Sequence, residues 1–523
     1  MTQALAAYNR KDYARSSELY VQAIAAGSDD QTAAYNAACA FALAGNKEQA
    51  FSYLSRAVET QAAPVDQLEK DADLASLHAD PRWQDTLNAS AKATARRRVL
   101  WSSPSFETPY KPVLTEDEKI AGLSRLWSET KYNFVDTERL IDVDWDGLYV
   151  RYLPKVRAAR TTYDYYRVLQ ELIAKLEDAH SNVYFPEALF DEFLGKPGLH
   201  TRMIDGKVIV LDVWDPELRN TGIAPGMEIV RIDGVPVRQF AEREVAPYAS
   251  VATAQDLEVR LFEYFLLLGP VQKPLRLALQ AADGAVSEHT VRRKPAVQRR
   301  MFTPTEPAFV HRTLPGNVAY VALNSFEDNT AAAEFIKAFD DIARSSALII
   351  DVRDNGGGST DVGYRVLATL VATGFLGSSW ATRDYKPSYR AWGYANPMYR
   401  RPADHVVADP AHHYADDKPV IVLTSARTFS AAEDFVVAFD QTKRGTIIGE
   451  LTGGSTGIPL SFALPGGGSA RVCTKRDSYA DGTAFVDVGI KPQIVVHPTV
   501  ADVRAGKDAV LDAALAHIAS RLR

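Results

Sequence analysis

The sequence predicts a multidomain α+β protein. Its 523 residues exceed what one hydrophobic core normally holds together, so three or four domains are expected. Residues 4–90 have a helical pattern throughout, residues 196–295 contain short apolar runs broken by turn residues, and strands alternate with helices from Asn317 onward. We therefore predict a helical-repeat domain at 1–98, a second helical domain at 114–195, a small β domain at 196–298 and an α/β layer domain at 299–523.

Composition and charge narrow the classes of partner. Hydrophobic residues make up 46% of the chain and charged residues 24%, which is typical of soluble globular proteins. The net charge of −7 argues against nucleic acid or an anionic membrane surface as a partner, and no apolar stretch predicts a membrane span. Cys39 and Cys473 lie far apart, which predicts neither a disulfide framework nor a cysteine zinc site.

The start of the chain bears on its location in the cell. It has no signal-peptide pattern and begins almost inside its first helix, as though a leader had been removed. The compartment therefore stays open between a periplasmic or secreted location, which a removed leader would imply, and a cytoplasmic location.

The first helical region contains an internal repeat. The segment from Asp12 to Ile24 is echoed 34 residues later by the segment from Asn46 to Val58, with small or apolar residues at matching positions. Small residues at this spacing let helix pairs stack closely, and the period is that of tetratricopeptide repeats. The region resembles about two such repeats, which implies a surface for protein contact. A generic helical hairpin is the alternative.

The β region carries a turn signature. Gly222, Pro225 and Gly226 precede an apolar strand, and Asp233-Gly234 marks another turn after it. These residue types suit turns in which φ is positive. The arrangement resembles a PDZ domain of the permuted kind found in certain proteases, and this resemblance implies peptide binding by strand addition. An unrelated small β domain is the alternative.

The strongest chemical candidate is a serine at the start of a helix. The buried strand Pro419–Leu423 is followed by a turn, and Ser430 opens a helix predicted over 430–441. A serine here projects from the carboxyl edge of the sheet, and the helix N-terminus favours a developing oxyanion with the amide of Ala431 as donor. The alternative is a helix cap, because Ser430 and Glu433 fit the Ser-x-x-Glu capping box.

A glycine-rich loop follows another predicted strand. Gly356–Gly358 come after the apolar strand at 347–352, and successive glycines let backbone N–H groups form a concave nest. A phosphate-binding loop would need a lysine before its serine or threonine, and neither glycine run, at 357–360 or 453–456, supplies one. A plain turn is the other alternative.

Together these motifs resemble the core of the S41 peptidase family. The pattern comprises Asp-x-Arg-x-Asn-x-Gly-Gly from Asp351, Ser-Ala-x-Glu from Ser430 and Gly-Glu-Leu-Thr-Gly-Gly from Gly449. The likeness continues at 481–482, 488–492 and 506–511. It implies a crotonase-like α/β core with Ser430 as nucleophile and the amides of Gly357 and Ala431 as the oxyanion hole.

The general base depends on which branch of the family the chain resembles. The C-terminal-processing branch uses a lysine, but the matching position here is Ser455. The tricorn-core branch uses a histidine from the end of the preceding helical region, and the stretch 176–181 resembles that segment, which implies His180 as base. Histidine suits this role because its pKa lies near working pH. The alternative is a helix C-terminal histidine stabilised by the helix dipole.

The group that orients the imidazole stays open. The tricorn-core branch places a serine before its histidine, where this chain has Ala179. Asp178, Glu450 and Asp487 are carboxylate candidates that the sequence does not rank.

A metal site is the remaining chemical alternative. His412 and His413 lie near four aspartates between residues 404 and 417. The proline and aspartate content indicates a solvated loop, so no metal is expected there. No organic cofactor is expected either, because acyl transfer through a serine needs none.

The combined interpretation is a serine endopeptidase or carboxyl-terminal processing peptidase that forms an acyl-enzyme on Ser430, with His180 as general base. The expected partners are a peptide or protein substrate, a protein bound by the helical repeats, and a second copy of the chain in a homo-oligomer. The alternatives are a non-catalytic retinoid-, lipid- or peptide-binding member of the same fold family, and an inactive scaffold.

Overall fold

The structure, a computed structural model, describes residues 1–28, 32–60, 63–102, 104–395 and 397–522. The chain divides into two units, Met1–Glu107 and Thr108–Arg523. The first unit is helical, and α6 continues to Trp101 because no helix breaker interrupts it before that point. Its helices are α1 Thr2–Asn9, α2 Tyr13–Ala25, α3 Ala33–Leu43, α4 Lys47–Glu59, α5 Val65–Lys70 and α6 Arg82–Trp101.

Helices α2 and α4 match the 34-residue repeat seen in the sequence. Asp12 and Asn46 are their N-caps, and each side chain accepts a hydrogen bond, 3.2 Å long, from the backbone N–H three residues later. The corresponding residues Tyr20 and Leu54 are both buried. The two segments therefore start and pack alike.

The second unit begins with a helical segment that packs against strands near the C-terminus. α7 and α10 start with complete capping boxes at Thr115 and Thr161. The apolar faces of these helices share one hydrophobic cluster with Phe462, Leu464 and Val472. The elements of this segment are α7 Glu116–Asn133, α8 Thr137–Asp142, α9 Trp145–Ala158, α10 Thr162–Ile173, β1 Asn182–Tyr184 and α11 Phe190–Phe193.

An antiparallel sheet follows, with strand order β2-β3-β4-β6-β7 and the short β5 paired to β4. Asp233 and Gly234 have φ values of 51° and 80°, as the Asp-Gly turn predicts. A π-helical turn, Arg260–Phe265, directly continues α14. The elements are β2 Leu199–Ile204, β3 Lys207–Val213, α12 Pro216–Arg219, β4 Glu228–Ile232, β5 Val235–Pro236, α13 Val237–Glu244, α14 Ala254–Val259, β6 Leu275–Gln280, β7 Val286–Val291 and α15 Ala296–Arg299.

The C-terminal segment is built on a six-stranded sheet with strand order β20-β16-β15-β10-β9-β8. Only β8 runs antiparallel to its neighbour, and β10 and β15 are buried along their whole length. The elements are β8 Phe309–Leu314, β9 Val318–Leu323, α16 Thr330–Lys337, α17 Phe339–Ala343, β10 Ala347–Asp351, α18 Thr360–Ala368, β11 Phe375–Leu376, β12 Ser379–Arg383, α19 Pro387–Ala391, β13 Met398–Arg401, β14 His405–Val406, β15 Val420–Thr424, α20 Ala431–Thr442, β16 Thr446–Gly449, β17 Pro459–Leu464, β18 Gly468–Cys473, β19 Lys475–Ser478, β20 Ile494–Val495, α21 Val500–Ala505 and α22 Ala509–Arg521.

A small sheet joins the helical segment to the C-terminal segment. Its order is β1-β18-β17, and Asn182 of β1 lies opposite Arg471 of β18. This pairing brings the residues just before β1 to the edge where β10 and β15 end. Across the described ranges, no helix combines the length and apolarity needed to cross a membrane.

Candidate active site

Ser430 occupies a strained backbone position between β15 and α20. Its φ of 57° and ψ of −129° form a combination that residues with a side chain rarely adopt, at a cost of about 1–3 kcal/mol. The N–H of Ser430 donates to the carbonyl of Ser455 at 2.9 Å, and the N–H of Phe429 donates to the carbonyl of Asn355 at 3.0 Å. These bonds hold a sharp turn that presents the hydroxyl at the carboxyl edge of the sheet.

The capping alternative for Ser430 is wrong. The hydroxyl makes no cap hydrogen bond with α20, and its Oγ instead lies 3.1 Å from Nε2 of His180. Glu433, the other member of the expected capping box, accepts the hydroxyl of Thr452 at 2.5 Å and the N–H groups of Gly454 and Ser455 at 2.8 Å. Both side chains are therefore used for purposes other than capping the helix.

His180 comes from the helical segment and lies two residues before β1. It follows α10 and a 3₁₀ turn rather than sitting in the last turn of a helix, so the helix-dipole alternative does not apply. The side chain is buried, and its ring stacks on Phe429 with centroids 5.0 Å apart and planes 8° apart. The base and nucleophile predicted from the sequence thus lie together, although they are 250 positions apart in the chain.

Ser455 contacts the second imidazole nitrogen of His180. In the sequence this position stood out only because related peptidases have a lysine there. Nδ1 of His180 lies 2.7 Å from Oγ of Ser455. If Nε2 accepts a proton from Ser430, then Nδ1 carries the ring hydrogen and donates it to Ser455. Ser455 is buried, and its backbone N–H is fixed by Glu433. The only signal in the sequence was the match of this position to the lysine of the related motif.

None of the three carboxylate candidates contacts the His180 ring in the described structure. Oδ1 of Asp178 accepts the backbone N–H of His180 at 3.1 Å. Glu450 lies 3.2 Å from the imidazole of His497, and Asp487 forms an ion pair with an arginine of β19. The expectation of a carboxylate is therefore corrected, because each of these groups is already engaged elsewhere and a hydroxyl binds the ring.

Burial and positive charge both oppose protonation of His180. Removal from water is the largest effect, followed by the charges of Arg471, Arg260 and Lys475, and together they lower the pKa of His180 from 6.5 to about 3. The imidazole is therefore neutral near pH 7 and able to accept a proton. The same surroundings disfavour the imidazolium that proton transfer would create.

The glycine loop approaches the nucleophile more closely than a side chain would allow. A Cβ atom on Gly357 would lie 2.6 Å from Cβ of Ser430 and 3.0 Å from the backbone nitrogen of Ala431. The N–H of Gly357 donates to Oδ1 of Asn355 at 2.9 Å, whereas that of Ala431 has no acceptor among the described residues. The two predicted oxyanion donors thus flank Ser430, one free and one engaged.

An ion-pair network ties the turn before Ser430 to the glycine loop. Nε of Arg427 donates to Asp354 at 2.7 Å, and its guanidinium also lies 3.7 Å from Glu263 of the π-helical turn. Glu263 in turn lies 2.8 Å from Nε2 of His200 on β2. The loops that carry the hydroxyl and the glycine amides are therefore fixed to each other and to the antiparallel sheet.

The two histidines considered as metal ligands are not gathered into one site. His412 and His413 each pair with a different aspartate, at 3.2 and 3.4 Å. Within the described ranges, one set of potential ligands does come together, and it comprises Cys39, Asp71 and Asp73 in the first unit. Both of those carboxylates already accept tyrosine hydroxyls, which accounts for their arrangement.

Two protein-family models match the chain. Residues 317–496 match the model of peptidase family S41, and residues 122–174 match the model of the tricorn protease C1 domain. The first range contains Ser430, and the second ends shortly before His180. Ser430 therefore lies inside a region that resembles a known peptidase, and His180 lies just after another such region.

Proteins named as peptidases match most of the chain. It is 25% identical over 371 residues to the chloroplastic C-terminal processing peptidase of Tetradesmus obliquus, which covers 67% of this chain and 71% of the relative. Identity to the carboxyl-terminal-processing protease of Synechocystis sp. is 23% over 425 residues, or 78% and 88% of the two chains. Tricorn protease homolog 1 of Streptomyces coelicolor is 24% identical over 395 residues, or 72% of this chain and 32% of the relative.

Solved structures share the fold. Mature CPAF complexed with lactacystin superposes with a TM-score of 0.59 and 16% identity, over 75% of this chain and 95% of that one. The chain is thus a mixed α/β multidomain protein in which residues 317–496 resemble peptidase family S41 and residues 122–174 resemble the tricorn C1 domain, and it is a peptidase.

Proposed function

We propose that this peptidase cleaves peptide bonds by nucleophilic attack of Ser430, with His180 as general base and Ser455 as the group that orients the imidazole. The observation that carries the proposal is the 3.1 Å separation between Oγ of Ser430 and Nε2 of His180. A serine hydroxyl within hydrogen-bond reach of a neutral imidazole is the arrangement that activates serine for acyl transfer.

The reaction follows from the positions of these atoms. Oγ of Ser430 attacks the scissile carbonyl carbon while Nε2 of His180 takes the hydroxyl proton. Nε2 then gives this proton to the leaving amine as the carbon–nitrogen bond breaks, which leaves an ester on Ser430. A water molecule attacks that ester with Nε2 again accepting the proton, and return of the proton to Oγ releases the new carboxyl group.

The oxyanion would be held by backbone amides on both sides of Ser430. The N–H of Ala431 is free at the N-terminus of α20, where the helix dipole also favours negative charge. The N–H of Gly357 is available only after it exchanges the side-chain oxygen of Asn355 for the oxyanion. Such an exchange is reasonable because a developing negative charge is a stronger acceptor than a neutral amide.

Ser455 would act on the reaction through the imidazole. Its hydroxyl fixes the ring hydrogen on Nδ1, which leaves Nε2 free to accept a proton. Unlike a carboxylate, a neutral hydroxyl cannot cancel the charge of the imidazolium. Stabilisation of that charge must therefore come from groups other than Ser455.

The antiparallel sheet and the first helical unit would handle substrates and partners. We propose that the 196–298 region is a PDZ-like domain that holds a substrate tail, which is supported by its turn residues and by the edge position of β2. The matching caps of α2 and α4 support tetratricopeptide-like repeats that bind a protein partner or a second copy of the chain. The names of the relatives support carboxyl-terminal processing as the reaction class.

A fluorophosphonate probe tests the proposal directly. The probe reacts with serine only when a base activates the hydroxyl, so the wild-type chain should be labelled at Ser430 and should hydrolyse an unstructured protein. The variant His180→Gln keeps the serine but should lose both labelling and hydrolysis. His405→Gln, an exposed histidine of β14, is the matched control and should retain both.

Two results would contradict the proposal. Labelling at a serine other than Ser430 would show that the other serine is the nucleophile. Full labelling of His180→Gln would show that another group activates the hydroxyl.

A further inference from the structure

An arginine without an anionic partner lies beside the proposed base. Arg471 is on β18, and its Nε is buried without a hydrogen-bond partner. Among the residues that the structure describes, no carboxylate forms an ion pair with this guanidinium. A buried N–H without an acceptor is unfavourable, and the guanidinium that carries it has no counter-ion, which points to a role for the charge.

The side chain of Arg471 lies on the open face of its sheet. Its strand neighbours Ala470 and Val472 are buried in the hydrophobic cluster shared with α7–α10, so Arg471 projects from the opposite face. It is paired with Asn182, two residues after His180, and its Cζ lies 5.5 Å from the centre of the ring of Tyr184. Tyr184 is 42% exposed and Arg471 is half-buried, so the guanidinium lies near the surface close to the proposed base.

The other cations near His180 are already neutralised. Arg260 donates from Nε to both carboxylate oxygens of Asp256, at 3.1 and 3.0 Å. Lys475 forms an ion pair with Asp477 at 2.8 Å. Of the three cations near His180, Arg471 is therefore the one whose charge is available to bind an anionic ligand.

We propose that Arg471 binds a carboxylate of the substrate next to the scissile bond. The inference rests on the proposed nucleophile and base, because it places this carboxylate in the same cleft. A guanidinium presents two parallel donors that match the two oxygens of a carboxylate. The carboxylate can come from the C-terminus of a peptide or from an Asp or Glu side chain.

Such binding would also help the chemistry. The charge of Arg471 is the largest single charge that depresses the pKa of His180. A carboxylate on Arg471 cancels that charge and so favours the imidazolium that forms when Ser430 attacks. A substrate with the correct anionic group would thus supply the stabilisation that Ser455, as a neutral hydroxyl, does not.

Matched peptides test this assignment. One fluorogenic hexapeptide ends in a free carboxylate and its twin ends in an amide, while a second, amidated pair carries Glu or Gln next to the cleaved bond. We expect kcat/KM of wild type to be roughly 10- to 100-fold higher for the carboxylate member of one pair, since hydrogen bonds to charged groups have that strength. The pair that shows the preference identifies the source of the carboxylate.

Arg471→Gln should bring this ratio close to one, and Arg471→Lys, which keeps the charge without the fork, should retain part of it. Arg312→Gln is the matched control, because its guanidinium also lies over a tyrosine ring, 4.4 Å from the centre of Tyr320, and Arg312 is on β8, the edge strand of the six-stranded sheet. It should leave the ratio unchanged. Thermal melting of each variant shows that the fold is intact.

The outcomes separate this inference from the proposed mechanism. If wild type hydrolyses both pairs without preference, or if Arg471→Gln keeps the preference, the role of Arg471 is overturned and the mechanism stands. Fluorescence anisotropy in the Ser430→Ala background measures binding of the same peptides without turnover. If carboxylate binding in that background depends on Arg471 while wild type hydrolyses none of the peptides, the binding role of Arg471 is supported and the proposed mechanism is contradicted.

Discussion

Two strand-to-helix turns lie side by side at the edge of the sheet and differ in where they place an unusual backbone conformation. β10 and β15 are parallel neighbours, and each leads to a serine at a helix N-cap, Ser359 before α18 and Ser430 before α20. Ser359 has an ordinary φ of −92°, and the positive φ values of its loop fall on Gly357 and Gly358. In the second turn, Ser430 itself has the positive φ.

This difference shows how the same strand–turn–helix arrangement can present backbone amides in one turn and a side chain in the other. Glycine adopts positive φ without steric cost, so the first turn can come close and offer backbone amides. A residue with a side chain adopts the same region only when its surroundings enforce it, and the enforced turn aims that side chain. An imidazole lies within reach of Ser430, whereas the exposed side chain of Ser359 makes no cap hydrogen bond with its helix.

The serine pair gives the largest expected effect. Ser430→Ala should lower the hydrolysis rate by roughly 10⁴-fold or more, because the nucleophile is lost. Ser359→Ala removes a hydroxyl from the equivalent helix position and should stay within about twofold of wild type. The measurement is the initial rate of hydrolysis of an unstructured protein. Equal losses of rate in the two variants would show that the two serines do not differ in function.

The glycines of the first turn give the next largest effect. Gly357→Ala should reduce kcat by roughly 10²- to 10³-fold, since its Cβ would lie 2.6 Å from that of Ser430 and would displace an oxyanion donor. The neighbouring Gly356→Ala is the control, because its Cβ would meet nothing within 4 Å. Steady-state kinetics with thermal melting distinguishes lost catalysis from lost folding. A fully active Gly357→Ala would exclude this loop from the oxyanion hole.

Removal of the orienting hydroxyl should have a smaller effect. Ser455→Ala should lower kcat by about 10- to 100-fold with little change in KM, because the ring loses the partner that fixes its tautomer. Ser345→Ala, which removes a buried hydroxyl bonded to the carbonyl of Ile342 at 2.7 Å, should leave both constants near wild type. If the loss appeared only in KM, Ser455 would be a substrate contact instead.

The smallest effect concerns pH. The pKa of His180 is lowered to about 3 by burial first and by nearby positive charges second, so the neutral base persists as pH falls through 6.5. We expect kcat/KM to change by less than about twofold between pH 7.5 and 5, because this parameter reports the free enzyme. A pH–rate profile measures it. Burial raises the pKa of Asp178, which accepts the His180 N–H, to about 6, so a half-maximal point near pH 6.5 that persists in Asp178→Asn would show an imidazole exposed to water.

Particular residues show which parts of the fold and the site the sequence could predict. The central strands were predictable because buried parallel strands have continuous apolar sequences. Ser430 was predictable because it follows such a strand and a turn, opens a helix and lies in a recognisable motif. Short strands such as β12 and β19 carry no such pattern, because they are defined by their pairing across about a hundred residues, as Trp380 opposite Asp477 shows. Domain boundaries stay predictions.

The orienting group lay beyond sequence reasoning for a related reason. Ser455 and His180 are 275 positions apart, and only the folded chain reveals which polar group faces Nδ1. The carboxylates near the motifs were the natural candidates because an anion is the usual partner of a catalytic imidazole. Each was engaged by a closer partner, as the bond from the His180 N–H to Asp178 illustrates.

The pairing of β1 with β18 has a consequence for biosynthesis. β18 begins at Gly468, so a chain growing from its N-terminus contains both the hydroxyl and the imidazole before it contains the strand that aligns them. Contacts between segments so distant form late, after local structure. On the proposed mechanism, a ribosome-bound precursor that lacks this strand has no means of cutting its neighbours, and proteolytic capacity arises only when synthesis of the catalytic region is nearly complete.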